Sequence, residues 1–513
     1  MKKKTPTRVG LAALAVALLT GLAVLFFATH LRVEGRFYAK NAKTLDLRDQ
    51  ALTLESYEAV QQALPDCKIQ WLVPVQGQRL ALDTKEMTLR GLTEEDVRAM
   101  AYLTELETID LTACPTSPLI LQLRRDHEDA KLLYQVSIGG RTWPQDSQKL
   151  TLPSLTAEEI PLLAYLPELT QVDATACEDL ALLSQLEQTY PQLRVAYQVP
   201  VGGKSWDRFS TELCAEDITA EELAQALPHM PELKTVSLTE PEGEGSAFRA
   251  LSEEYSQISF RWSKTLLGVT VTREQEEVDL SAGEYDSLAQ VQALMDWCPE
   301  ARKLFLGTCD IDNETLSQFR ESRRDDYKVV WNVKVGGLTL RTDDIYYMPG
   351  KFDQGITQDE IYNLRYCEDM ICIDVGHKPL YTCEWAAFMP HLKYLIIADT
   401  SITDISPLTG LKELIYLEMF ITQVKDYSPL LTCTALEDLN LCYSHGDPEP
   451  IKQMTWLKRL WWAESPIEVA QFQEYLPDTQ LMFLHHSSTG NGWRQGQNYY
   501  DMRDIVGMNY MWG

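Results

Sequence analysis

Residues 392–408 read Leu-Lys-Tyr-Leu-Ile-Ile-Ala-Asp-Thr-Ser-Ile-Thr-Asp-Ile-Ser-Pro-Leu, and residues 414–430 read Leu-Ile-Tyr-Leu-Glu-Met-Phe-Ile-Thr-Gln-Val-Lys-Asp-Tyr-Ser-Pro-Leu. The two stretches begin 22 residues apart and match at Leu392/Leu414, Leu395/Leu417, Ile397/Met419, Thr400/Thr422, Asp404/Asp426, Pro407/Pro429 and Leu408/Leu430. A third copy begins at Leu436, Leu439 and Leu441, and a fourth at Leu457 and Leu460. A short fixed period of this kind means one small supersecondary unit that cannot bury its apolar side alone and does so by stacking on its neighbours. The alternation around Leu395, Leu417 and Leu439 places the leucines on one face of a strand and the residues between them on the other.

The spacing Leu-x-x-Leu-x-Leu/Ile and the second half Ile402-Thr-Asp-Ile-Ser-Pro-Leu408 resemble the 22-residue repeat of bacterial internalins. The resemblance is close over 392–465 and implies a leucine-rich-repeat coil whose strands form a curved sheet used for binding proteins. One position departs from the pattern: the ladder site usually filled by Asn holds Thr400, Thr422 and Ser444. A hydroxyl still bonds neighbouring backbone, with fewer donors than an amide.

Working outward, a longer repeat precedes these copies. An aromatic residue stands six positions before a glycine at Trp71/Gly77, Tyr134/Gly140, Tyr197/Gly203, Trp262/Gly268 and Trp331/Gly337, at intervals of 63, 63, 65 and 69 residues. Val136-Ser-Ile-Gly-Gly140, Val199-Pro-Val-Gly-Gly203 and Val333-Lys-Val-Gly-Gly337 read as a strand entering a tight turn. Thr93-Glu-Glu-Asp96, Thr156-Ala-Glu-Glu159, Thr219-Ala-Glu-Glu222, Ser281-Ala-Gly-Glu284 and Thr357-Gln-Asp-Glu360 read as reciprocal helix caps, with Asp96 expected to reach back less well than Glu. Leu106-x-x-Ile109-x-Leu111-x-x-Cys114 recurs from Leu169 to Cys177 and from Ala301 to Cys309, again in leucine-rich-repeat form; Leu233-x-x-Val236-x-Leu238 ends instead on Pro241. Units this long are expected to hold two strand–helix modules each, with the glycine hairpin as an elaboration.

The N-terminus differs from the rest. Lys2, Lys3, Lys4 and Arg8 precede Val9–Ala28, twenty residues without a charge. At ~1.5 Å per residue that run covers ~30 Å of helix, a bilayer's hydrocarbon. It reads as an uncleaved signal anchor, with a removed signal peptide or a buried core helix as alternatives. The body would then be extracytoplasmic on a single-pass membrane protein.

The expected fold class is therefore α/β, a leucine-rich-repeat solenoid of stacked strand–helix units with a curved sheet, preceded by one transmembrane helix. The expected segments are a cytoplasmic basic tail at 1–8, the anchor at 9–31, a linker at 32–43, long degenerate repeats at 44–370, internalin-like repeats at 371–486, and a C-terminal cap or exposed tail at 487–513.

The chain of 513 residues has a formal charge of −29, of which residues 1–49 contribute +6, leaving −35 on the remainder. A body that acidic repels phosphate backbones, so nucleic acid is an unsuitable partner. The eleven cysteines are expected as buried thiols at ladder sites such as Cys114, Cys177 and Cys309, or as one or more disulfides. Cys367, Cys372, His377 and Cys383 form no zinc spacing, His485-His486 lacks a third ligand, and Gly490-Asn-Gly-Trp-Arg-Gln-Gly496 lacks the spacing of a phosphate loop. No nucleophile elbow, kinase set or Walker motif is present. Neither a cofactor nor a metal is expected.

What remains is a surface. On the concave sheet the residues between the leucines would be Tyr394, Ile396 and Ala398; Tyr416, Glu418 and Phe420; Asp438 and Asn440; Arg459 and Trp461. Aromatics flanked by charges and amides suit recognition of a protein. The expected function is non-catalytic recognition of a protein or envelope polymer through that sheet. Another segment of the chain covering those residues is the competing reading, and an envelope-acting hydrolase or accessory subunit using carboxylates is the alternative function.

Overall fold

The computed structural model describes residues 8–350, 355–463, 469–483, 487–490 and 492–508, so His485-His486 and Asn491 lie outside the described residues. The chain divides into two compact units, Met1–Thr211 with Gln225–Leu233, and Glu212–Ala224 with Lys234–Gly513.

The first unit shows how the long repeat is built. From Glu86 to Pro144 the order is strand Glu86–Thr88, helix Glu94–Met100, strand Thr108–Asp110, helix Pro118–Asp126, strand Lys131–Leu133, then an antiparallel hairpin of Gln135–Ile138 and Arg141–Pro144. The three strands pair in parallel, with Met87, Ile109 and Leu132 in register and buried. The same order follows from Lys149 to Asp207, with a 3₁₀ helix in place of the first α-helix. Each long unit thus contains two strand–helix modules and a hairpin. The aromatic before each hairpin is its anchor: Tyr134 and Tyr197 are buried, and the Tyr134 hydroxyl donates to the Tyr165 carbonyl at 2.6 Å. In the second unit Trp262 and Trp331 take the same place, donating from Nε1 to the Trp297 carbonyl (2.7 Å) and to Asn313 Oδ1 (2.9 Å).

The caps do more than expected at one copy and less at another. Asp96 reaches the Thr93 amide at 3.0 Å, so the shorter carboxylate closes the box, and its other oxygen takes the Gln76 amide at 3.1 Å. Glu159 likewise accepts from Thr156 and from Gly139, both at 2.9 Å. One carboxylate thereby ties a helix start to the preceding hairpin turn. Ser281 begins no helix; the next one runs Leu288–Met295, and Asp279 takes the Ser281 amide instead.

The short repeats, in the second unit, form a seven-stranded parallel sheet: Tyr346–Tyr347, Cys372–Asp374, Tyr394–Ile396, Tyr416–Glu418, Asp438–Asn440, Arg459–Ala463 and Gln480–Phe483. Ile373, Leu395, Leu417, Leu439, Leu460 and Leu481 stand in register, and the first five are fully buried. Behind them lie 3₁₀ turns such as Ser406–Leu408 and Ser428–Thr432, each opened by Pro and by an Asp two residues earlier that accepts from Ser: Asp404 from the Ser406 amide (2.7 Å), Asp426 from the Ser428 amide (2.8 Å). The ladder hydroxyls bond backbone: Thr400 to the Ile397 carbonyl (2.7 Å), Thr422 and Ser444 both to the Met419 carbonyl (2.9 Å).

One strained site recurs with the same period. His377, Asp399, Ile421 and Tyr443 all carry positive φ, between 53° and 64°. A β-branched residue is least suited to this conformation, and Ile421 is also 41% exposed, so it gains little from burial. Ile421→Asn is expected to raise stability by about 0.5–1 kcal/mol, seen as a rise of ~1–4 °C in Tm. A fall in Tm would show that Ile421 packing outweighs the backbone strain.

The N-terminal expectation is corrected. A helix runs Arg8–Thr29. Among the described residues no helix is long and apolar enough to cross a membrane. The transmembrane anchor, the bilayer as a partner and the single-pass, extracytoplasmic placement that rested on them are withdrawn.

Candidate recognition surface

The residues expected to face outward from the sheet are brought together on one face, opposite the leucine core. Cys372, Tyr394, Ile396, Ala398, Tyr416, Phe420, Cys442 and Trp461 form one packed cluster there, with Glu418, Asp438 and Asn440 also buried. The expectation that this face lies open is corrected, because the C-terminal segment lies over it. Residues 487–508 carry a short 3₁₀ turn, Trp493–Gln495, and a helix, Gln497–Ile505. Trp493 and Met502 enter the cluster, and Tyr499, Ile505 and Val506 pack on its margin. This segment covers the face of the coil.

Trp493 is fully buried, its ring 5.3 Å from Tyr416 and 5.0 Å from Trp461 between centroids. Its Nε1 donates to Glu418 Oε1 at 2.7 Å. Arg494 donates to the same carboxylate from Nε (3.0 Å) and Nη2 (2.6 Å), a two-pronged pair, and the Tyr416 hydroxyl is a further donor to it. Arg459 bridges sheet and segment: it grips Asp438 through Nε (2.8 Å) and Nη2 (2.5 Å) and donates from Nη1 to the Trp493 carbonyl (2.9 Å). Asn440 Nδ2 donates to the Ser488 carbonyl at 2.8 Å, and Asn498 donates to Asp438 at 3.1 Å. Trp462 turns the other way, against Tyr427 and Phe472, which settles which of the tryptophan pair lies on this face.

The charge balance depends on the segment. Three carboxylates belong to the face: Asp374, Glu418 and Asp438. Asp438 is matched from within the sheet by Arg459, whereas the cation that pairs Glu418 is Arg494. Burial pushes the Asp374 carboxyl above its ordinary value, partly offset by the Gly376 amide, and Glu418 adds to the rise. Burial would lower the Arg494 guanidinium, but the Glu418 carboxylate more than offsets it and holds it above its ordinary value. Burial, reinforced by Glu418, raises the Tyr416 phenol well above its usual range, so it donates as a neutral group.

Three contributors escaped sequence reasoning. Asp374 is in register with Ile396 and Glu418 and could have been found from the 22-residue period. Trp493 and Arg494 lie outside any repeat and carry no periodic signal.

The other candidates hold no comparable arrangement. The eleven cysteines form no disulfide; Cys367 and Cys383 are buried, and His377 pairs with Asp399 at 2.7 Å. Among the described residues no three His, Cys, Asp or Glu side chains converge as a metal site. Burial lifts Cys298, Cys367, Cys372 and Cys383 to about 12, so the thiolate needed for reaction is scarce. Ellman's reagent at pH 8 is expected to modify the exposed Cys214 first, with all eleven thiols reacting only after unfolding. Rapid native modification of Cys372 would show that the covering segment opens readily. A cavity of about 430 Å³ is lined by Arg302, Arg320, Arg324 and Lys328, but Glu368 pairs with Arg320 (2.6 Å) and Arg324 (3.1 Å), and Asp369 with Lys328.

No family model matches the chain, and no curated protein matches it either. Among solved structures, internalin C2 of Listeria monocytogenes superposes over 25% of this chain and 70% of its own, at 18% identity and a TM-score of 0.20. A second Listeria monocytogenes internalin, inlF, covers 85% of this chain and 92% of its own at 13% identity and 0.21. A leucine-rich-repeat protein of Leptospira interrogans covers 77% and 93% at 14% and 0.24. Superpositions of this depth carry no argument about function; the repeat assignment rests on the period and register of the seven-stranded sheet. In those terms the chain is similar to internalins and to other leucine-rich-repeat proteins.

Proposed function

We propose that this chain is a non-catalytic protein-recognition protein, and that the sheet face formed by Tyr394, Ile396, Tyr416, Glu418, Phe420, Asp438, Asn440, Arg459 and Trp461 is its binding surface, occupied at rest by the chain's own residues 487–508. The observation that carries this reading is Glu418. It is fully buried, yet its charge partner comes from outside the repeats, on a segment held by side-chain docking rather than by the strand ladder. Such a face combines aromatic anchors with a desolvated charge, the combination found where proteins bind tightly.

The test is selection of a random peptide library on the full chain and on the full-length Trp493→Ala/Arg494→Ala variant, with ligands mapped by hydrogen exchange. The reading expects ligands that favour the variant and protect 394–396, 416–418 and 438–440. Failure to select any ligand, or protection confined to the 3₁₀ side of the repeats, would falsify it.

A further inference from the structure

We infer that the partner of this face is a peptide segment presenting an adjacent indole and guanidinium, in the pattern Trp-Arg-x-Gly, which displaces residues 487–508 by occupying the same contacts. The inference rests on the recognition reading above and adds the chemistry of the ligand.

The segment serves as a template because its contacts separate into two kinds. The first reads side chains. The slot between Tyr416 and Trp461 takes a flat ring bearing an N–H directed at Glu418, which excludes Phe and disfavours aliphatic residues. The same carboxylate takes a planar two-pronged donor from the next residue, which Lys cannot reproduce. Two positions on, Gly496 lies where a Cβ would meet the Arg459 guanidinium, which Asp438 holds in place, so the site favours glycine.

The second kind reads only backbone. Asn440 donates to the carbonyl of residue 488 and Arg459 to that of residue 493. Any chain laid along this track satisfies them, so they supply affinity without choosing sequence. The acidic body, −35 beyond residue 49, favours approach by a basic peptide. Asp374, raised beside Glu418, offers a second carboxylate to a ligand carrying one more cation than the segment does.

The probe is a fluorescent synthetic peptide with the sequence of residues 487–508, added to the full-length Trp493→Ala/Arg494→Ala chain and read by anisotropy. Binding in the micromolar range is expected, with protection of 416–418 in hydrogen exchange. Peptides carrying Trp493→Ala or Arg494→Ala are expected to bind at least ~30-fold more weakly, and Arg494→Lys about 10-fold more weakly. The unsubstituted chain is expected to bind the probe ~100-fold more weakly, because its own tethered segment competes at high effective concentration.

If the variant chain binds the Ala-substituted or a scrambled peptide as well as the native one, the Trp-Arg assignment is wrong. If it ignores the probe while library selection yields other ligands on the same strands, the ligand chemistry fails and the recognition reading stands. If neither probe nor library binds, both fail. Should the double variant not fold, the Arg494→Ala chain keeps the indole anchor and is subject to the same criteria.

Discussion

Trp493→Ala is expected to release residues 487–508 from the sheet while the leucine core beneath stays folded. Trp493 is fully buried between Tyr416 and Trp461 and satisfies one oxygen of a buried carboxylate. Truncating a buried tryptophan costs about 3–5 kcal/mol. The lost N–H donor adds about 1–3 kcal/mol of unmet hydrogen bonding at Glu418, reduced because Arg494 and Tyr416 still reach it. The segment adds no strand to the ladder, so the loss is charged to local opening rather than to the sheet. Hydrogen exchange across 493–506 should accelerate by ~100-fold or more, and trypsin should cut after Arg494 and Arg503 under native conditions. The melting transition of the repeats should move by only a few degrees. Cooperative loss of the whole sheet would instead mean that this segment is integral core.

Leu417→Ala is expected to act on the opposite face and globally. Leu417 is fully buried, and so are its in-register neighbours Leu395 and Leu439 on adjacent strands. Removing the isobutyl group at the middle of such a stack leaves a cavity walled by strands whose spacing is set by backbone hydrogen bonds, so little collapse is possible. The expected cost is about 3–5 kcal/mol. Stability in a stacked array comes from nearest-neighbour interfaces, so the loss at one strand disrupts two of them. Urea unfolding of the full chain should show a lower midpoint for the transition reported by 394–396 and 438–440 in hydrogen exchange, with both strands losing protection together. Unchanged protection at those strands would mean the repeats are not coupled through the leucine ladder. The paired outcomes also separate the two faces: Trp493→Ala opens the cover, and Leu417→Ala weakens what lies beneath it.

The legible part of this protein is the part that repeats. The 22-residue spacing determined which leucines share a face, and with it the register Leu395–Leu417–Leu439 and the turn chemistry of Asp404-Ile-Ser-Pro407. The 63-residue spacing marked the hairpin anchors Tyr134 and Tyr197. Both are local consequences of side-chain periodicity and backbone geometry, repeated often enough to stand above noise. Caps were legible as motifs but not as outcomes. Asp96 closes its box because the Gln76 amide also holds the carboxylate in place, a contact 20 residues away in sequence.

By itself, then, the order of residues determined the stacked strands, the inward leucines and the identity of the side chains on the opposite face. Whether that face meets water was decided only by the tertiary structure, through Trp493 and Arg494, which lie 75 and 76 residues from Glu418 along the chain. A strand's alternation specifies two faces and says nothing about what covers either one. Coverage depends on a long-range match of one ring slot and one carboxylate, formed once and without a period, and a single unrepeated contact leaves no pattern in a single sequence to be read.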